Sequence, residues 1–186
     1  MEGAGYLWLF LPILGAALAH APVLGLNLFP TLKRPIDQGR CFRGRRILGD
    51  NKTWRGALVM TAGAMLAAVL LWQLRWFRAQ LPPEIQEAGV WPYASLLAVG
   101  ATLAELPNSF VKRQLDIAPG KQRGSLLGAM LSIFDQGDFV FGVWITLLPI
   151  WVMSATQALT AFVAVVCVHS VINVIGYAIG VRTSPL

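Results

Sequence analysis

The sequence predicts an all-α integral membrane protein built on five transmembrane helices. Three observations lead there. The chain is strongly apolar, charge is missing from four long stretches, and the basic residues gather in alternate loops. Of 186 residues, 56% are hydrophobic and 13% charged, with a mean hydropathy of +0.61. Soluble domains carry about 25% charged residues, so a water-soluble globule is excluded.

The helices follow from the uncharged stretches. No Asp, Glu, Lys or Arg occurs in Gly3–Leu32, Gly56–Leu74 or Ala88–Ala104. A crossing needs about 20 apolar residues, so each stretch admits one. Phe139–Val181 is also uncharged. As one helix it would run about 65 Å, so it is expected to hold two spans that turn near Met153–Gln157. The expected helices are about 6–29, 56–75, 90–106, 138–153 and 157–180. The first is read as a retained span rather than a signal peptide, because its short n-region has Glu2 and no base. Gly124–Phe134 is apolar but too short to cross. It is expected to be a re-entrant or interfacial piece, or to pack under a loop.

Charge then sorts by side. Loop 31–55 holds eight Lys and Arg, loop 107–137 holds Lys112, Arg113, Lys121 and Arg123, and Arg182 follows the last span. Between the second and third helices stand only Arg75 and Arg78, with Glu84 and Glu87. The positive-inside rule puts the N-terminus outside and the C-terminus in the cytoplasm, with both basic loops in the cytoplasm of a cell-membrane protein. Tyr6, Trp8, Trp72, Trp76, Trp91, Tyr93 and Trp151 fall near the expected outer interface, where amphipathic rings sit. Cys41 and Cys167 lie in a loop and mid-helix, so no disulfide is expected. No repeat or linker divides residues 1–186, so a single membrane-embedded domain is expected, with no nucleic-acid partner.

The two basic loops hold nearly all the chemistry. Loop one contains PIDQGRCFRGRRILGDNKTWRG, with Gly39, Gly44, Gly49 and Gly56 among its bases. Glycines allow close backbone approach, and Arg and Lys offer several donors to phosphate oxygens. A topology signal that also attracts anionic lipid would explain the charge equally well. It would not explain Asp50-Asn51-Lys52-Thr53 directly before a helix. Asp50 or Thr53 could cap that helix, and its N-terminal dipole suits an anion. Loop two begins at Glu105 and ends at Asp135 and Asp138. If the helix already covers Asp135, the spacing of three puts both carboxylates on one face. Oxygen ligands beside phosphate-binding bases suit Mg²⁺ and a nucleotide; helix capping is the alternative, and the metal is favoured because Lys112, Arg113, Lys121 and loop one lie on the same side. His169, Asn173 and Tyr177 share one face of the last helix, most simply as an interhelical hydrogen-bond seam. His20, near Pro22, reads as a packed histidine at a kink.

PIDQGRCFRGRRILGDNKTWRG, SFVKRQLDIAPGK, FDQGDF and the tail HSVINVIGYAIG resemble, in order and spacing, the CDP-archaeol synthase family. These are CTP-dependent cytidylyltransferases related to CDP-diacylglycerol synthases. The resemblance covers essentially the whole chain and departs at Ala104-Glu105, where the family usually has Gly-Asp. It implies transfer of CMP from CTP to a membrane lipid phosphate, 2,3-di-O-geranylgeranylglycerol phosphate, giving a CDP-lipid and pyrophosphate. It implies catalytic roles for Asp135, Asp138, Lys112 and Arg113, and nucleotide or phosphate binding by Asp50, Asn51, Lys52, Arg55, Ser109 and Lys121. Asp135, Asp138 and Glu105 would hold Mg²⁺. A homodimer is compatible with it. The alternatives are a non-catalytic lipid- or anion-handling membrane protein, and a cytidylyltransferase acting on diacyl phosphatidic acid.

Overall fold

A computed structural model describes residues 4–118 and 126–178. Lys121 and Arg123 lie outside the described residues. The regular structure of the described residues is helical apart from one short hairpin, and five of the helical segments are long and apolar enough to cross a membrane. In order, they begin with a 3₁₀ segment, Ala4–Ile13, that continues into α1 (Leu14–Gly25). Loop one follows, carrying β1 (Cys41–Phe42) and β2 (Arg45–Arg46). Next come α2 (Trp54–Trp72) and the short α3 (Arg75–Arg78) and α4 (Pro83–Ala88). The last three spans are α5 (Val90–Gln114), α6 (Leu126–Leu147) and α7 (Ala155–Ala178).

Several boundaries differ from the sequence expectation: the first span ends at Gly25 rather than near 29 and α6 at Leu147 rather than near 153, and two further differences bear on the site. Helix α5 runs on through Pro107 to Gln114 instead of ending near 106. Helix α6 begins at Leu126, not near 138, so Gly124–Phe134 is no separate re-entrant piece over its described part. Its apolar residues form the first turns of the fourth span. Most of the expected loop 107–137 is therefore helix. Both Asp135 and Asp138 stand inside α6 rather than at its start.

Lipid tails are as apolar as leucine, so spans associate through close packing and polar contacts rather than through the hydrophobic effect. Helices α5 and α6 meet backbone to backbone. A Cβ on Gly142 would fall 2.2 Å from the Gly100 carbonyl oxygen, and one on Gly100 would fall 2.8 Å from the Gly142 oxygen. Helices α1 and α2 cross at Gly15 and Gly63 in the same manner. Hydroxyls add interhelical bonds: Thr146 Oγ1 donates to the Leu96 carbonyl at 2.7 Å, and Thr61 and Thr102 share a bond at 2.8 Å. Tyr93, fully buried, donates its phenol to the Leu9 carbonyl of the 3₁₀ segment at 2.7 Å. The apolar centre gathers Leu9, Phe77, Ile85, Tyr93, Leu97, Val140, Val143 and Leu147.

Gly142→Ala should force α5 and α6 apart and cost about 1–3 kcal/mol. Thermal unfolding in detergent micelles measures this as a lowered midpoint; an unchanged midpoint would show the crossing to be loose.

Candidate active site

Loop one is a closed structure. Ile36 N–H donates to the Lys52 carbonyl at 2.8 Å and Trp54 N–H to the Arg34 carbonyl at 3.0 Å, which ties its two ends. Inside, the buried carboxylate of Asp37 accepts the backbone N–H groups of Gly39, Leu48 and Gly49 at 3.1, 2.8 and 2.9 Å. It also accepts Arg46 Nη2 at 2.7 Å. Gly49 has φ +93, a conformation that turns its N–H toward Asp37 and that side chains disfavour. Burial by itself would raise the Asp37 carboxyl, but the Arg46 bond and the three backbone donors prevail and hold it well below the usual carboxylate range. The hairpin β1–β2 turns at Arg43-Gly44, both at positive φ, as its two-residue turn requires. It docks on the end of α5: Arg45 pairs with Asp116 at 2.6 Å, and Gln114 Nε2 donates to the Arg46 carbonyl at 3.2 Å.

That scaffold delivers Lys52 to the helices. Lys52 Nζ pairs with Glu105 of α5. From the Gly100–Gly142 crossing, α5 and α6 run in opposite chain directions toward the loop-bearing end. Glu105 and Asp138 each stand about 6–8 Å from the crossing, and Asn108 and Asp135 about 11–12 Å. The levels match, and Asn108 Nδ2 donates to Asp135 Oδ1 at 2.8 Å. Lys112 Nζ pairs with the same oxygen at 2.8 Å. Asp138 is 3% exposed and lies within electrostatic reach of Glu105, Asp135 and Lys52. Its Oδ2 is buried without a hydrogen-bond partner, as are Asn108 Oδ1 and Arg113 Nε and Nη1.

The structure thus brings Lys52, Glu105, Lys112, Asp135 and Asp138 together, with Ser109 and Arg113 buried on the same helix. Other expected residues are employed elsewhere. Arg55 is buried and donates to Asn27 Oδ1 at 2.9 Å and to the Leu28 carbonyl at 3.0 Å, fastening α2 to the end of α1. Asp50 faces outward and pairs with Arg46 at 2.8 Å, and Asn51 is exposed. Neither Asp50 nor Thr53 is interchangeable as a cap: Thr53 caps α2, its Oγ1 accepting the Gly56 N–H. Among the described residues, no group of three or more His, Cys, Asp or Glu side chains could hold a metal ion as placed. Glu105 and Asp135 are engaged by lysines instead.

Two residues escaped the sequence reading, and a third, His20, was read only as a packed histidine. Asp37 organises loop one but looked like one more loop acid. Asn108 stands beside the carboxylates, and only its place one turn beyond Glu105 hinted at that. His20 lies against Gly56, 3.6 Å from where a Cβ there would sit, and within electrostatic reach of Glu105, Arg55 and Lys52. Its signal was its position a few residues before the end of the first span.

The family model for CarS-like CDP-archaeol synthases matches residues 5–186. This chain belongs to the CDP-archaeol synthase family. The CDP-archaeol synthase of Halobacterium salinarum is 38% identical over 164 residues, covering 82% of this chain and 83% of its own. That of Methanosarcina mazei is 36% identical over 167 residues, covering 82% and 90%. A solved intramembrane enzyme for archaeal membrane lipid biosynthesis superposes with a TM-score of 0.61 at 26% identity, over 90% of this chain and 91% of that one. Membership in the CDP-archaeol synthase family makes this chain an integral membrane enzyme and sets aside the non-catalytic alternative.

Asp37→Asn should loosen loop one by about 2 kcal/mol, since hydrogen bonds to a charged acceptor are lost. Limited proteolysis would show faster cleavage between residues 36 and 52. A depressed carboxyl stabilises above its unfolded pKa, so the wild-type loop should hold at neutral pH and weaken as pH falls below about 4.

Proposed function

We propose that this chain transfers the cytidylyl group of CTP to archaetidic acid at the loop-bearing end of the bundle, giving CDP-archaeol and pyrophosphate. The observation that carries the site assignment is the exchangeable pairing of Lys52 with Glu105 and of Lys112 with Asp135, beside the buried, unpartnered Asp138 oxygen. A polyphosphate entering there would take the lysines for itself and free the carboxylates. Buried Arg113, with two unpartnered nitrogens, would add donors of fixed direction. Loop one is read as facing the cytoplasm, where CTP is, in keeping with its eight bases.

The chemistry needs little from the protein beyond placement and charge. A lipid phosphate has a second pKa of about 6, so it is largely a dianion at neutral pH. One of its oxygens attacks the α-phosphorus of CTP in line. The new O–P bond forms as the bond to the β-phosphate oxygen breaks, and pyrophosphate leaves with that electron pair. No general base is required. Lys52, Lys112 and Arg113 hold the nucleotide phosphates in line and offset the charge that gathers on the leaving group. The donor set fits Mg²⁺, which prefers oxygen ligands: Asp138 Oδ2 and Asn108 Oδ1 are buried and unpartnered, and Asp135 is adjacent. Asp135 and Asp138, with Glu105 once released from Lys52, would hold it. Bound there, Mg²⁺ would supply charge neutralisation and alignment of the phosphates.

Purified enzyme given radiolabelled CTP, Mg²⁺ and archaetidic acid should place label in the lipid phase; label only with diacyl phosphatidic acid would redirect the substrate. Asp138→Asn should lower turnover about 100-fold or more while folding normally, and Lys52→Ala should raise the CTP KM about tenfold. Turnover retained in Asp138→Asn would remove that residue from the site. A membrane-impermeant maleimide should label the exposed Cys41 in inside-out vesicles but not in right-side-out ones; the reverse pattern would invert the orientation.

A further inference from the structure

Helix α6 presents Asp135 and Asp138 toward α5, and something must fix its rotation for that to hold. The contacts on its other side come from α7. Gln136 sits between the two carboxylates in sequence. At 100° per residue it projects about 100° from Asp135 and about 160° from Asp138, so it faces away from the site. There it is 9% exposed, and it is gripped twice. His169 Nδ1 lies 2.8 Å from its backbone carbonyl oxygen, and Ser170 Oγ donates to its Oε1 at 2.9 Å. The His169 ring also packs edge-on against Phe139, centroids 6.4 Å apart.

These contacts restrain different motions. The carbonyl bond fixes how far α7 sits along the α6 axis, because a backbone oxygen cannot swing. The amide bond fixes rotation about that axis, because Gln136 must point at Ser170. Rotating α6 by one residue would carry Asp138 about 100° away from α5 and break both bonds. Gln136 is buried, so water is not at hand to replace them. The sequence reading put His169 in a seam that merely joins helices; its partner, between the two acids, gives the seam a more specific task.

We propose that Gln136, His169 and Ser170 are positioning residues that set the rotation of α6 and so aim Asp135 and Asp138 at the reacting phosphates. This rests on the reading of those carboxylates as the active site. The variant Ser170→Ala removes one bond and little volume. It should lower kcat about tenfold per folded molecule while changing the CTP KM less than twofold, because the lysines and loop one still bind nucleotide. Ser170→Thr keeps the hydroxyl and should restore kcat to within twofold of wild type. Gln136→Leu should lower kcat further. If it does not fold, as judged by melting in detergent, the Ala and Thr pair at Ser170 still decides the matter.

Asp138→Asn is assayed in parallel. If it is inactive while Ser170→Ala turns over like wild type, the clamp is overturned and the site stands. If Asp138→Asn is fully active, the site reading itself fails. If Ser170→Ala loses kcat and Ser170→Thr does not recover it, the hydroxyl bond is not the cause and the proposal falls. A parallel loss of kcat and CTP affinity would likewise reduce the seam to general packing.

Discussion

In a bilayer two helices gain nothing from hiding apolar side chains from each other, since lipid serves as well. What holds α5 to α6 is contact between main chains, made possible where neither Gly100 nor Gly142 has a side chain. That crossing fixes the levels of everything beyond it. Residues at equal distance along the two helices then meet, which is why Asn108 reaches Asp135 and why Glu105 and Asp138 share a plane. A bulky residue at the crossing would do more than loosen the bundle. It would separate cations on one helix from carboxylates on the other, at the far end of a lever two turns long.

The second constraint is the buried carboxylate of Asp37. Loop one is rich in positive charge, and a chain of arginines has no reason to condense on itself. One acid bonded by four residues supplies that reason, and the closure of the loop at Ile36–Lys52 accompanies it. Lys52 is thereby delivered to Glu105 from a rigid base rather than from a wandering strand. Basic residues that looked alike in sequence separate into tasks. Arg46 folds the loop, Arg45 docks it on α5, Arg55 ties α2 to α1, and Lys52 meets the site.

Much of this was legible beforehand. The five spans follow from where charge is absent, and the acids and bases that gather were named from their order in the chain. The boundaries were less legible, for a definite reason. Asp135 and Asp138 looked like acids at a helix start because charge inside a span is costly, yet α6 begins nine residues earlier, at Leu126. The cost is offset by Lys112 and Asn108, which belong to another helix and so leave no mark nearby in sequence. Glu105 misled in the same way, since the uncharged stretch stops before it, yet α5 continues through it to Gln114. Asp37 stayed hidden because its importance lies in backbone donors, two of them eleven and twelve residues away, and backbone donors carry no sequence signature.

The 3₁₀ segment at the start of the first span has a consequence for how the enzyme sits in lipid. A 3₁₀ turn rises about 2.0 Å per residue against about 1.5 Å in an α-helix, so Ala4–Gly25 reaches about 38 Å where an α-helix of equal length would reach about 33 Å. The neighbouring α2, at 19 residues, reaches only about 28 Å. Two adjacent spans of such unequal length cannot both match one hydrocarbon slab while upright. The longer one must lean or project beyond the apolar layer, and Tyr93, bonded to Leu9 within the stretched portion, holds it in that state. The bilayer thickness that suits this protein is therefore written partly in the winding of Ala4–Ile13, not only in how many apolar residues each span contains.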